Sequence, residues 1–169
     1  ILYQDDYKYV SGTSPAFVEH FRQYAEDVLV QYRLSDKALV ADIGSNDGTC
    51  LRFFKNAGFN VLGVDPATEI AAKATAQGIP TVADFFTESL GKKLLIENGP
   101  AHLITSHNAC AHVDDLVGLM HGVRHWLADD GLFIFEVGYL LDVYKNTWFD
   151  TMYHEHLDYH SVKPLVLFF

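Results

Sequence analysis

The stretch Val40-Ala41-Asp42-Ile43-Gly44-Ser45-Asn46-Asp47-Gly48-Thr49 restricts the fold of this chain more than any other. A short apolar run breaks at a glycine turn and passes into residues with helical spacing. That is the strand–loop–helix unit at which nucleotide-like ligands bind in open α/β sheets. The rest of the chain repeats the alternation. Ser14 caps a helix with Pro15 at its first position, and Phe17, Phe21, Tyr24 and Val28 give it one apolar face. Strands are predicted at 38–43, 61–64, 80–82, 101–106 and 132–137. Helices are predicted between them at 49–57, 69–77, 87–96 and 113–127, with Gly91 weakening the third and Asp130-Gly131 turning the chain into the last strand. This spacing predicts an α/β architecture, a mainly parallel sheet with helices on both faces.

Composition narrows the class. The 169 residues suffice for one domain, and an apolar fraction of 49% favours a buried core over disorder. A formal net charge of −10 without a basic run argues against a nucleic-acid partner held through phosphates. Cys50 and Cys110 fit neither a CxxC nor a zinc-finger spacing, so neither a disulfide scaffold nor a structural zinc is expected. No apolar run approaches the roughly 20 residues of a membrane span. No signal peptide is visible either, and the expected location is the cytoplasm. Residues 1–13, with Tyr3, Tyr7 and Tyr9, read as a lead-in segment, and 14–169 as the domain. The chain begins with Ile1 and ends on Val166-Leu167-Phe168-Phe169, an apolar terminus of the kind that packs on something, so it reads as a piece of a longer polypeptide.

The glycine loop points to a cofactor. Gly44 and Gly48 form a GxxxG, not a GxGxxG, and the loop carries Asp42 and Asp47. Carboxylates set against a pyrophosphate are unfavourable at such range, whereas a sulfonium and an amino group suit them. S-adenosylmethionine has both. Ser45 and Asn46 lie in the same turn. Asp65, followed by Pro66, ends the second strand roughly 20 residues beyond Gly44, where an acid accepts ribose hydroxyls, with capping of the next helix the lesser reading. Asp84 and Phe85 follow the third strand and are placed to hold an adenine amino group and cover its face. Asn108 follows the fourth strand and is placed at the methionyl end.

A second constellation lies beyond the fifth strand. Residues 146–161 include Tyr153-His154-Glu155-His156, dense in proton-transfer groups. If extended, they put Tyr153 and Glu155 on one side and His154 and His156 on the other, a split that a turn would break. The motif is not HExxH, and a metal would need a further ligand such as His112, so no metal is assigned. General acid–base work suits these residue types better.

Three segments carry a family resemblance: residues 42–48 (DIGSNDG), 108–113 (NACAHV) and 149–161 (FDTMYHEHLDYHS). With them the chain resembles, over nearly its whole length, the S-adenosylmethionine-dependent C-methyltransferases of deoxysugar biosynthesis. The resemblance implies a Rossmann-like class I methyltransferase fold and a nucleotide-linked keto-sugar acceptor, methylated at a carbon next to its ketone. It implies Tyr153, Glu155, His156 and His112 as catalytic residues, with Tyr7 a further active-site tyrosine. Family members also carry an N-terminal zinc module and, past the equivalent of Phe169, two more strands and a C-terminal domain. On that pattern this chain is the central domain alone and its fifth strand lies on an open edge. An O- or N-methyltransferase on the same fold, an NAD-dependent sugar-nucleotide enzyme and an inactive cofactor-binding fragment remain alternatives, although the glycine loop is not GxGxxG and no Lys stands four places after Tyr139, Tyr144 or Tyr153.

Overall fold

The apolar runs become strands Leu39–Ile43 (β1), Asn60–Val64 (β2), Thr81–Val82 (β3), Ala101–His107 (β4) and Leu127–Glu136 (β5). They form one parallel sheet in the order β3-β2-β1-β4-β5. The structure is a computed structural model and describes residues 7, 9–153 and 155–169, so His154 and Tyr3 lie outside the described residues. The helices are Pro15–Gln31 (α1), Thr49–Asn56 (α2), Thr68–Ala76 (α3), Glu88–Asn98 (α4), Leu116–Trp126 (α5), Leu140–Lys145 (α6) and Val162–Phe168 (α7). None is long and apolar enough to cross a membrane.

Period-two alternation in the strands divides the core. Val40, Val61 and Leu103 face Phe21, Ala25 and Val28 of α1 and Leu51 and Phe54 of α2. Ala41, Leu62 and Ile104 face Leu90 and Leu94 of α4 and Leu119, Val123 and Trp126 of α5. Buried on both faces, the central strands read as apolar runs, as parallel sheets require. The chain winds outward from β1 to β3, then returns to lay β4 on the other side of β1. That reversal opens a crevice at the carboxyl ends of β1 and β4.

The boundaries follow from caps. Ser14 Oγ accepts the Phe17 N–H at 3.4 Å, and Thr87 Oγ1 that of Leu90 at 3.2 Å. Asp115 Oδ1 accepts the Gly118 N–H at 2.8 Å, which starts α5 at Leu116 and leaves Cys110–His112 as a separate 3-10 turn. The predicted helix at 113–127 is therefore too long at both ends. The expected Asp130-Gly131 turn lies inside β5. Leu127 pairs with Ala101 and Leu132 with Leu103, so a register shift absorbs residues 128–131 as a bulge. Gly91 does not weaken α4, because a Cβ there would run into the backbone of Gly122 on α5. The residues after β5 form two short helices that periodicity did not predict, and Phe169 rests against Phe135 with ring centroids 5.8 Å apart. In this sheet order β5 lies at an edge.

Candidate active site

A cavity of about 970 Å³ opens at the carboxyl ends of β1, β2 and β4, at the top of the roughly 300–1,000 Å³ range of ligand sites, with room for two reactants. Gly44 forms its floor with φ +75°, and a Cβ there would stand 2.6 Å from that of Ala109. Only glycine lets this turn and the loop after β4 approach so closely. Asn46, also left-handed at φ 50°, donates its N–H to Asp65 Oδ2 at 2.8 Å. Asp65 Oδ1 accepts the Ala67 N–H at 2.9 Å. Burial raises the pKa of the Asp65 carboxyl, and those two backbone donors oppose the rise. Asp65 thus supports the start of α3, although Ala67 is the cap residue, and it lines the cavity as well.

Pro66, Asp84, Phe85 and Asn108 also line the cavity. Asp84 Oδ1 accepts the Phe85 N–H at 2.8 Å, while the neighbouring Phe86 goes into the core and stacks on Trp126. Asp42, Ser45 and Gly48 are not in the lining. Asp42 is 2% exposed and accepts the Thr105 hydroxyl at 2.8 Å; burial pushes its pKa up to about 7. Ser45 Oγ is buried with no hydrogen-bond partner among the described residues, and Gly48 caps α2 at φ 73°. These three residues shape the loop from below.

The proton-transfer residues come together through a turn. The His156 N–H donates to the Tyr153 carbonyl at 3.0 Å, so the extended split does not form and the two rings lie 4.3 Å apart. The Leu157 N–H donates to the Ala111 carbonyl at 2.8 Å, which ties this turn to the loop after β4 and sets the His112 ring 4.9 Å from His156. His112 Nδ1 donates to the Glu155 carbonyl at 2.7 Å, and His156 Nδ1 to the Thr151 carbonyl at 3.0 Å. A carbonyl only accepts, so both rings carry a proton on Nδ1. Burial lowers the pKa of His156, and His112 beside it adds to the effect. Tyr7 also lines the cavity. Burial pushes its phenol up to about 12, with Asp65, Tyr9, Glu155 and Tyr153 adding to the rise. Burial likewise raises Tyr153. The structure brings Tyr7, His112, Tyr153, Glu155 and His156 onto the same cavity as Gly44 and Asp65.

Sequence reasoning missed His20, His107 and Glu136. Their ligand atoms lie within 4.8 Å of one another, and His20 Nε2 is 2.6 Å from Glu136 Oε2. His107 and Glu136 are register partners at the ends of β4 and β5, where crevice residues are expected. Placing the end of β4 one residue further on would have found His107. His20 has no local signal, because only the packing of α1 across the sheet brings it there. Phe21 and Tyr24 enclose His107 at 5.0 and 4.6 Å, and burial pushes its pKa well below the ordinary range.

The parallel sheet, its helices on both faces and the crevice at the reversal define a Rossmann-like fold of the class I methyltransferase type. Residues 17–165 match a family described as "Methyltransferase domain", and the chain belongs to it. It is 37% identical over 163 residues to C-methyltransferase NovU of Streptomyces niveus, which covers 96% of this chain and 39% of NovU. The chain thus spans well under half the length of that curated relative. A SAM-dependent methyltransferase from Archaeoglobus fulgidus superposes with a TM-score of 0.65 at 19% identity, covering 90% of this chain and 70% of that one. The plantazolicin methyltransferase BpumL, solved with a pentazolic desmethylPZN analog and SAH, does so at 0.60 and 12%, covering 83% and 53%.

Proposed function

We propose that this chain is the cofactor-binding domain of an S-adenosylmethionine-dependent C-methyltransferase, acting on a carbon next to the ketone of a nucleotide-linked keto-deoxysugar. The observation that carries the reading is the meeting of a neutral histidine, two protonated phenols and Glu155 on the cavity that holds the Gly44 turn. Similarity to NovU supports the carbon acceptor. The cavity fits the cofactor. Asp65, Asp84 and Glu155 are in the lining, and no Lys or Arg is among the described lining residues, which suits a cationic sulfur and amino group better than a phosphate. On this reading the acceptor's phosphates are held elsewhere.

Gly44 would form the floor under the cofactor, Asp65 would take the ribose, and Asp84 and Phe85 the adenine. Bound there, S-adenosylmethionine supplies an electrophilic methyl group. The chain's own residues prepare the acceptor. With its proton on Nδ1, neutral His156 offers the Nε2 lone pair as base. Nε2 takes the α-proton; the C–H electron pair becomes the new C=C bond and the carbonyl π pair moves onto oxygen. Tyr153 and Tyr7 keep their protons and donate to that developing oxyanion. His112, its Nδ1 proton engaged by the Glu155 carbonyl, orients that residue. The Glu155 carboxylate orients His156 or handles a second proton.

In the full-length protein with a keto-sugar nucleotide, the wild type should exchange the acceptor α-proton with deuterated water. His156→Ala should reduce exchange and turnover by about 10²–10⁴-fold while S-adenosylhomocysteine binding, read by calorimetry, persists. Undiminished exchange in that variant removes His156 as the base. Methylation without exchange in the wild type points to an oxygen or nitrogen acceptor.

A further inference from the structure

Asn46 lines the cavity, and its side chain bonds the lead-in segment. Its Oδ1 accepts the Ser11 N–H and its Nδ2 donates to the Tyr9 carbonyl, both at 2.9 Å. The next residue repeats the attachment, with Asp47 Oδ2 accepting the Gly12 N–H at 3.2 Å. A Cβ at position 12 would meet that carboxylate, so glycine gives the approach its room. On the other side of the segment, Tyr9 packs against Phe17 of α1 at 6.4 Å and against Tyr7 at 6.4 Å. Tyr7 in turn lies within the electrostatic reach of Asp65, Glu155 and Tyr153.

Asparagine is well suited to this position. The backbone is left-handed, which Asn tolerates better than most residues. The attachment needs one acceptor and one donor on a single short side chain, and Asp lacks the donor. The Asn46 N–H is meanwhile held by Asp65. One residue therefore joins the acid of the second strand to the segment that carries Tyr7.

We propose that Asn46 is a positioning residue that docks the tyrosine segment onto the cofactor loop, so that the cofactor side of the cavity and the acceptor-side phenol of Tyr7 are set together. This rests on the methyltransferase reading above for the role of Tyr7, but the docking can be tested without it. Asn46→Gly keeps the left-handed backbone and removes both bonds, and Asn46→Asp removes only the donor.

The test uses both variants and Tyr7→Phe in the full-length protein. Amide hydrogen exchange should show Ser11 and Gly12 losing protection in Asn46→Gly. Calorimetry should show S-adenosylhomocysteine affinity falling far less than kcat/KM for the acceptor, which drops by about 10²-fold, the cost of a misplaced group at a reacting centre. Asn46→Gly combined with Tyr7→Phe should be no slower than Tyr7→Phe alone, because the first substitution acts through the second residue. Multiplicative losses in that double variant would overturn the proposal. So would retained protection at Ser11, or a loss of cofactor affinity as large as the loss of turnover. A wild type that exchanges no α-proton would sink the carbon-acceptor reading alone, since the amide measurement needs no acceptor.

Discussion

His156 shows how a single backbone contact sets chemistry. The Thr151 carbonyl accepts a hydrogen bond from its Nδ1–H, which leaves the lone pair on Nε2. Burial and the adjacent His112 then weaken the ring's hold on a second proton. A base of this kind loses activity only once it is protonated. The acid limb of kcat/KM against pH should therefore turn down below the roughly 6.5 of an ordinary histidine, as steady-state rates across pH 5–8 will show. A downturn above that value would mean that another group gates the reaction. Thr151 carries no signal of this role in the sequence, since the bond is to its backbone.

At the scale of elements, α4 and α5 depend on a close approach at Gly91 and Gly122. Helix propensity alone predicts that Gly91→Ala stabilises α4, by up to about 1 kcal/mol. The new Cβ would meet the Gly122 backbone, and overpacking costs about 1–3 kcal/mol. The packing cost is the larger, so Gly91→Ala should lower the midpoint of urea unfolding. The same contact explains what the sequence conveyed and what it hid. Apolar periodicity and caps such as Ser14 and Thr87 are local, and they marked five strands and five helices within a few residues except at the start of β5, which was placed at 132 and lies at 127. The bulge at 128–131 and the Gly91 contact are set by partners far along the chain, and a window of sequence cannot show them. For the same reason Gly44 and Asp65 were legible from their strand ends, whereas the enclosure of His107 by Phe21 and Tyr24 was not.

For the molecule as a whole, two titratable groups on the same face of the sheet, buried Asp42 and half-buried His107, act in opposite directions. Asp42 holds its proton in the fold up to about pH 7, but releases it near 3.9 when unfolded. Unfolding between those values releases a proton, so this residue lowers stability as pH rises through that window. His107 is held neutral in the fold, yet binds a proton below about 6.5 when unfolded. Unfolding there takes up a proton, so this residue lowers stability as pH falls. The windows overlap, so these two contributions offset one another between about pH 4 and 6.5. Asp42→Asn should expose a loss on acidification, and His107→Gln a loss toward neutrality, both read as thermal midpoints against pH. Parallel profiles for all three proteins would refute the compensation.

Cys50 and Cys110 are both buried, and burial raises the pKa of each thiol. Cys50 sits in the first turn of α2, in the cluster beneath α1, whereas Cys110 belongs to the turn after β4, with its sulfur 3.6 Å from Ser106 Oγ. An alkylating reagent finds neither until the chain breathes. The domain thus contains two clocks: the labelling rate of one times the parting of helix and sheet, and that of the other times the loosening of the loop that carries His112.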